Sequence, residues 1–199
     1  MICLVTALPA EARPLVTLLG LRPLDHGGNH PIWAGDSAAL VVSGVGKTAA
    51  TVAVAHLHQR LSGSVIDGWI NVGIGGHRSA SLGTPILASE VRDEASGERW
   101  SLAIPFEPPC RTETVLTVER VERLYSEAVV YDMEASGFYA AALHRGHPGL
   151  VQVLKVVSDN KESDVDRVSA ARVEQLLEAS ENLPDRILDI WHQYRQRKP

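Results

Sequence analysis

The chain has 199 residues, two cysteines and a net charge of −5, with 45% hydrophobic and 22% charged residues and a mean hydropathy of −0.02. It is too apolar for disorder and long enough to bury one core, so a single domain over residues 1–199 is expected. The negative charge gives no support to binding nucleic acid or an anionic membrane. Cys3 and Cys110 assemble neither a disulfide framework nor a zinc set, so no metal is expected.

Residues 1–6 (MICLVT) form a continuous apolar run of strand length with no basic, apolar leader before it, and no apolar run reaches the ~18 residues of a membrane span. A cytoplasmic location is expected. Pro9 suits a first helical position, and residues 10–19 carry an apolar stripe that Pro14 disturbs. Glu11 falls in the first turn of that helix, close to the carboxyl end of the first strand. It is either a solvated acid complementing the helix dipole or a group held for chemistry.

Residues 25–29 (DHGGN) read as a turn, 30–34 as a short strand, and Gly35-Asp36 as a hairpin connection to a strand over 38–43. Gly44-Val45-Gly46-Lys47-Thr48 follows, then an alanine-rich helix through His58. Strand, glycine loop and helix make a place where backbone approaches a ligand closely and a helix amino terminus favours anions. A phosphate-binding P-loop needs G-x-x-x-x-G-K-[ST], but the position five before Gly46 is Val41, inside the strand. The loop is too short to wrap a triphosphate, and Lys47 is expected to cap a helix or pair with a surface acid.

Residues 64–72 (SVIDGWINV) are the next strand, and Gly73-Ile74-Gly75-Gly76-His77 reads as a second glycine loop with room for a flat ligand. A strand over 85–91 and a polar hairpin tip over 92–99 come next. Residues 100–109 read as a loop with one edge strand, 113–117 as a short strand and 119–125 as one or two helical turns. This middle section is expected to be a surface excursion covering a site.

In residues 129–136 (VVYDMEAS), β-formers run into Asp132 and Glu134, and a helical pattern follows from Ser136 to His144, stopped by Gly146 and Pro148. The two acids either serve a ligand at a strand's carboxyl end or favour the positive end of a helix. Residues 150–157 (LVQVLKVV) are apolar on both faces apart from Lys155, as buried parallel strands are, and end at Ser158-Asp159-Asn160. A helix over 164–182 and another from Pro184 to Arg197 close the chain, with Arg195, Arg197 and Lys198 complementing a helix carboxyl end. His77 and His144 are expected in core or surface roles.

Strands alternating with helices make an α/β fold, in which ligands collect at the carboxyl ends of strands. Glu11, Glu134 and Asp159 all follow strand candidates, and two glycine loops follow two more. Three acids without a metal set or a nucleophilic Ser or Cys motif suit acid/base chemistry on a polyhydroxylated or heterocyclic substrate.

The segments ALPAEARPL, SGVGKTAA, INVGIGGH, LGTPILASEV, VYDMEASGFYAAA and VLKVVSDN, in this order, resemble the nucleoside phosphorylase and nucleosidase superfamily, most of all its methylthioadenosine/S-adenosylhomocysteine nucleosidase branch. The resemblance implies a three-layer α/β/α fold around a mixed, mostly parallel twisted sheet, and hydrolysis of the N-glycosidic bond of a purine-type nucleoside with no cofactor. Asp159 matches the general acid to the leaving base and Glu11 the acid that activates water. Glu134 matches the carboxylate on the ribose hydroxyls, Met133 the residue packed under the sugar, and Gly75 and Gly76 the loop beside base and sugar. Ser158 precedes the acid, and Asp132 lies near the sugar or is structural. The resemblance also implies a homodimer or higher homo-oligomer.

Departures bear on substrate and nucleophile. Phosphorylases of the family carry an R-x-G-[ST] version of the second glycine loop, whereas this chain reads Asn71-Val72-Gly73-Ile74, which favours water over phosphate. The segment before MEA is compressed into residues 101–128, with Phe106 its one phenylalanine, so futalosine-type and other modified nucleosides are open beside methylthioadenosine and S-adenosylhomocysteine. The alternatives are a phosphorylase, a catalytically silent nucleoside-binding protein and, through Lys47, a P-loop phosphotransferase.

Overall fold

Apolar runs covered from both sides become the central strands, and amphipathic stretches become the helices over them. A computed structural model describes residues 1–25, 29–145, 150–180 and 183–197. In chain order its strands are β1 (Ile2–Thr6), β2 (Arg22–Asp25), β3 (Ile32–Ala34), β4 (Ala38–Val42), β5 (Gly68–His77), β6 (Pro85–Asp93), β7 (Arg99–Ser101), β8 (Arg111–Thr117), β9 (Val130–Asp132) and β10 (Leu150–Asp159). The helices are α1 (Pro9–Leu18), α2 (Lys47–Arg60), α3 (Ala135–Leu143), α4 (Ala170–Ala179) and α5 (Leu183–Arg197), with a short 3-10 turn over Val165–Arg167.

β1, β4 and β10 are buried at every residue, which is why they read as unbroken apolar runs rather than alternating ones. Successive residues enter different cores. Cys3, Val5, Val41, Trp69 and Val153 pack with Ala50, Ala53, Val54 and Leu57 of α2 and with Phe138 and Ala142 of α3. Leu4, Leu40, Ile70 and Leu154 pack with Ala10 and Leu15 of α1, Val173 and Leu176 of α4, and Ile187 and Ile190 of α5.

The mixed α/β class is as the sequence reads. A three-layer arrangement presupposes an open sheet, and here the sheet closes on itself. β10 pairs with β5 in parallel and with β6 antiparallel; β6 continues through β8 to β9, and β9 returns to β5 at Gly76 and His77. Five strands thus form a ring, from which β1, β4, β3 and β2 extend in that order beyond β5. Nor is the pairing mostly parallel: five of the ten ladders among the described strands are parallel and five antiparallel.

Several expectations shift. The second glycine loop is not a loop, because β5 runs on through His77 with β10 on one side and β9 on the other to satisfy its backbone. β10 likewise continues to Asp159. Residues 119–125 form neither helix nor strand, and β2 adds an edge strand that its exposed residues conceal in the sequence. The helix expected over 164–182 splits into the 3-10 turn and α4, each opened by its own cap: Asp164 accepts from the Asp166 N–H and Ser169 from the Arg172 N–H. The turn residues 26–28, the stop residues Gly146 and Pro148, Asn182 and Lys198 lie outside the described residues.

Candidate active site

Glu11 is the third residue of α1. Its Oε2 accepts the N–H groups of Leu8 (2.9 Å) and Ala7 (2.7 Å), and its Oε1 accepts the N–H of Ile74 from β5 (2.9 Å). Reaching back to the residue before the helix is ordinary for a glutamate at this position. The burial is not: Glu11 is 2% exposed, so the reading as a solvated dipole partner is overturned. Burial raises its carboxyl above the usual range, against the pull of Lys155 and the three N–H donors.

The β9–α3 junction separates the two acids that the sequence leaves as a pair. Asp132 accepts the N–H groups of Glu134 (3.3 Å) and Ala135 (2.8 Å), so it caps the start of α3, as the simpler reading of the pair has it. Its other oxygen accepts the Thr117 hydroxyl (2.8 Å). Glu134 instead sends Oε1 to the Gly46 N–H (2.8 Å). Gly46 adopts φ +105°, a conformation open to glycine, and thereby aims a backbone donor of the first glycine loop at a carboxylate. Burial lifts Glu134 to about 7, with Lys155 opposing and Asp132 and Glu11 adding to the rise.

Lys155, the one charge in the apolar run of β10, joins these acids. It is 1% exposed on β10, with Nζ 2.8 Å from Asp132 and 4.0 Å from Glu134. Burial alone would lower its pKa, but Asp132, Glu134 and Glu11 outweigh that and raise it. Its signal was present as the one charge in an otherwise apolar strand, since a buried charge requires partners.

Asp159 ends β10. Its Oδ1 accepts the Ser158 hydroxyl and its Oδ2 the Tyr125 hydroxyl. A Cβ at Gly76 would lie 2.6 Å from Asp159 Oδ2, and one at Gly73 would lie 2.7 Å from Glu11 Oε1. Gly73 and Gly76 therefore make room for carboxylates rather than for a turn, and Gly75 makes room for Val130 and the Tyr131 carbonyl of β9.

All eight residues singled out in the sequence line one cavity of about 150 Å³: Glu11, Gly75, Gly76, Asp132, Met133, Glu134, Ser158 and Asp159. Glu122, Tyr125 and Tyr131, which the sequence reading did not single out, join them beside apolar residues such as Val45 and Val118. Among the described lining residues there is no arginine or lysine. Groups of three or more His, Cys, Asp or Glu arranged to hold a metal are absent from the described residues. Such a site can stabilise developing positive charge and move protons.

Lys47 does not face the cavity. Its Nζ lies 3.1 Å from both oxygens of Asp93 and 3.6 Å from Glu119, so its main partner is a buried acid rather than a surface one. Burial alone would raise Asp93, but hydrogen bonds from Ser136, the Ser96 N–H and Lys47 hold it down at about 2. His77 is a core residue bonded to Glu113 (2.9 Å), and His144 is exposed.

No protein-family model matches the chain, and no curated protein matches it in sequence. Solved structures do. The apo 5'-methylthioadenosine nucleosidase of Arabidopsis thaliana superposes with a TM-score of 0.77 at 20% identity, over 99% of this chain and 96% of that one. The Colwellia psychrerythraea 34H 5'-methylthioadenosine/S-adenosylhomocysteine nucleosidase in complex with adenine gives 0.74 at 21%, over 97% and 95%. Futalosine hydrolase of Helicobacter pylori strain 26695 gives 0.75 at 14%, over 94% and 97%. The chain has the nucleoside phosphorylase/nucleosidase fold that its sequence segments resemble.

Proposed function

We propose that the chain, acting as one domain, is a nucleoside N-ribohydrolase that adds water across the N-glycosidic bond of a purine-type nucleoside. One observation carries this reading: buried Glu11, Glu134 and Asp159 meet on one cavity whose described lining holds no cationic side chain. Likeness of fold to methylthioadenosine nucleosidases and futalosine hydrolase supports it.

The chemistry assigns each acid a role. Bond cleavage builds positive charge on the ribose, which buried carboxylates stabilise. Glu11, fixed by three backbone donors, takes a proton from the water that attacks the anomeric carbon. Asp159 delivers a proton to the departing base. Glu134 accepts the ribose hydroxyls, Met133 packs under the sugar, and Gly75 and Gly76 flank base and sugar. Ser158 orients Asp159, and Asp132 with Lys155 holds the β9–α3 junction in place. A phosphate dianion would meet carboxylates and no lining arginine, so water is the nucleophile.

Adenosine derivatives such as methylthioadenosine and S-adenosylhomocysteine, and modified nucleosides of the futalosine type, are the substrate candidates. A homodimer or larger homo-oligomer belongs to the same reading, because Val45, Val121 and Leu124 leave 55%, 49% and 78% of their surface exposed beside the cavity. A cytoplasmic setting accords with free thiols at Cys3 and Cys110.

The test is a nucleoside panel with and without phosphate, assayed for free base. Ribose as co-product is expected; ribose 1-phosphate would make the protein a phosphorylase, and no release from any nucleoside would sink both. Base release abolished by Asp159→Asn excludes a catalytically silent binder.

A further inference from the structure

Residues 119–128 form neither helix nor strand and bring Val121, Glu122 and Tyr125 to the cavity wall, and Tyr125 is their one buried residue. It is 3% exposed while Leu124 beside it is 78% exposed. Tyr125 is also the one non-glycine residue with positive φ among the described residues, at 46°, a conformation that L-residues seldom adopt without a compensating contact. Glu122 builds the turn by accepting the N–H groups of Arg123 (2.8 Å), Leu124 and Tyr125 (3.1 Å). The buried phenol then stacks edge-on against Tyr131, with ring centroids 5.9 Å apart.

Two contacts place that ring in the site. A Cβ at Gly76 would come 2.7 Å from Tyr125 Cε1, so the ring lies against the backbone of β5. The hydroxyl donates to Asp159 Oδ2 while Ser158 holds Oδ1, so both oxygens of Asp159 are engaged. The remaining cavity, about 150 Å³, is well below the roughly 300–1,000 Å³ of small-molecule sites. The ion pairs and the Arg78 contact that hold the rest of the segment, Arg123 on Asp166 (2.7 and 2.9 Å), Arg92 on Glu127 (3.1 Å), Lys47 on Glu119 (3.6 Å) and Arg78 on the Ser126 carbonyl (3.3 Å), lie at the surface and hold weakly, beside one bond from the Glu127 N–H to the Tyr131 hydroxyl (2.8 Å).

We infer that Tyr125 is a built-in plug of the base site, occupying the place from which a base would meet Asp159, and that a nucleoside binds by replacing the Tyr125 hydroxyl as residues 119–128 swing outward. The inference rests on the N-ribohydrolase reading. Its consequence is competition: affinity is reduced by the fraction of molecules that are closed.

Tyr125→Phe keeps the ring and removes the bond to Asp159. Free adenine and the panel nucleosides are titrated calorimetrically into wild type and variant. The variant is expected to bind adenine about 10-fold or more tightly, as befits loss of a competing hydrogen bond to a charged group. Equal or weaker binding to the variant overturns the plug and leaves the hydrolase reading standing; absence of any binding to either protein overturns both. Tryptic cleavage after Arg120 and Arg123 supplies a second measurement on the wild-type protein. Adenine at saturation is expected to speed it, and unchanged or slower cleavage overturns the inference.

Discussion

Glu11, Glu134 and Asp159 share a chemistry and differ in what surrounds them. Glu11 is locked by backbone donors and Asp159 by two hydroxyls, whereas Glu134 has one N–H and a distant ammonium. Glu11→Gln and Asp159→Asn, each nearly isosteric, are expected to lower kcat by about 10²–10⁴-fold with unchanged circular dichroism. Burial pushes the Glu134 carboxyl up to about 7 in the fold, from an ordinary value of 4.5. Between those values the folded state keeps a proton that the unfolded chain has lost, so this group's contribution to stability is full below 4.5 and is lost as pH rises through 7. Urea unfolding across that window will show a flatter pH dependence in Glu134→Gln than in wild type. If Glu134 accepts ribose hydroxyls as proposed, the same ionisation favours that role, and kcat/KM is expected to rise with pH up to about 7.

The elements explain why these residues meet. A relay of groups, buried beyond its half-exposed first member Lys47, ties the start of α2 to the β9–α3 junction: Lys47 to Asp93, Asp93 to the Ser136 hydroxyl (2.7 Å), the Ser136 N–H to Thr117 (2.9 Å), Thr117 to Asp132, and Asp132 to Lys155. Removing a charge near either end tests it. Lys155→Met leaves Asp132 and Glu134 without their cation and should cost about 3–5 kcal/mol in chemical denaturation. Asp93→Asn should cost about 1.5–3 kcal/mol at neutral pH, and because Asp93 is held at about 2, its contribution disappears as pH falls from about 4 through 2. A loss at pH 7 within experimental error would dismiss the relay as scenery. The sequence made some of this legible and hid the rest. Residues 150–157 announced a doubly covered strand because nothing polar but Lys155 interrupts them, and VYDMEAS announced a strand entering a helix. Gly73, Gly75 and Gly76 misled, since glycine in a strand and glycine in a loop look alike until the neighbouring carboxylates and the paired strand β9 are known. Tyr125 carried no readable signal: its role comes from a single long-range bond to Asp159, 34 positions away.

At the scale of the whole molecule, closure of the sheet brings the site together. β5 and β10 run in parallel register from Gly68 and Leu150 to Gly76 and Asp159, so Asp159 arrives beside the glycines, while β9 pairs with the end of β5 at Gly76 and His77 and delivers Glu134 from the other side. Glu11 enters through α1, which follows β1 on the far flank of β5. Sequence-local patterns give the buried strands, but the pairing of β5 with β9 joins residues more than fifty positions apart and leaves no local trace. The central claim is that water, activated by Glu11, displaces a purine-type base from ribose. Turnover of a nucleoside in ¹⁸O-water with phosphate present, followed by mass spectrometry of the sugar, tests it most directly. The account predicts free base and ribose carrying one ¹⁸O at the anomeric position; unlabelled ribose 1-phosphate, or an intact nucleoside, would contradict it.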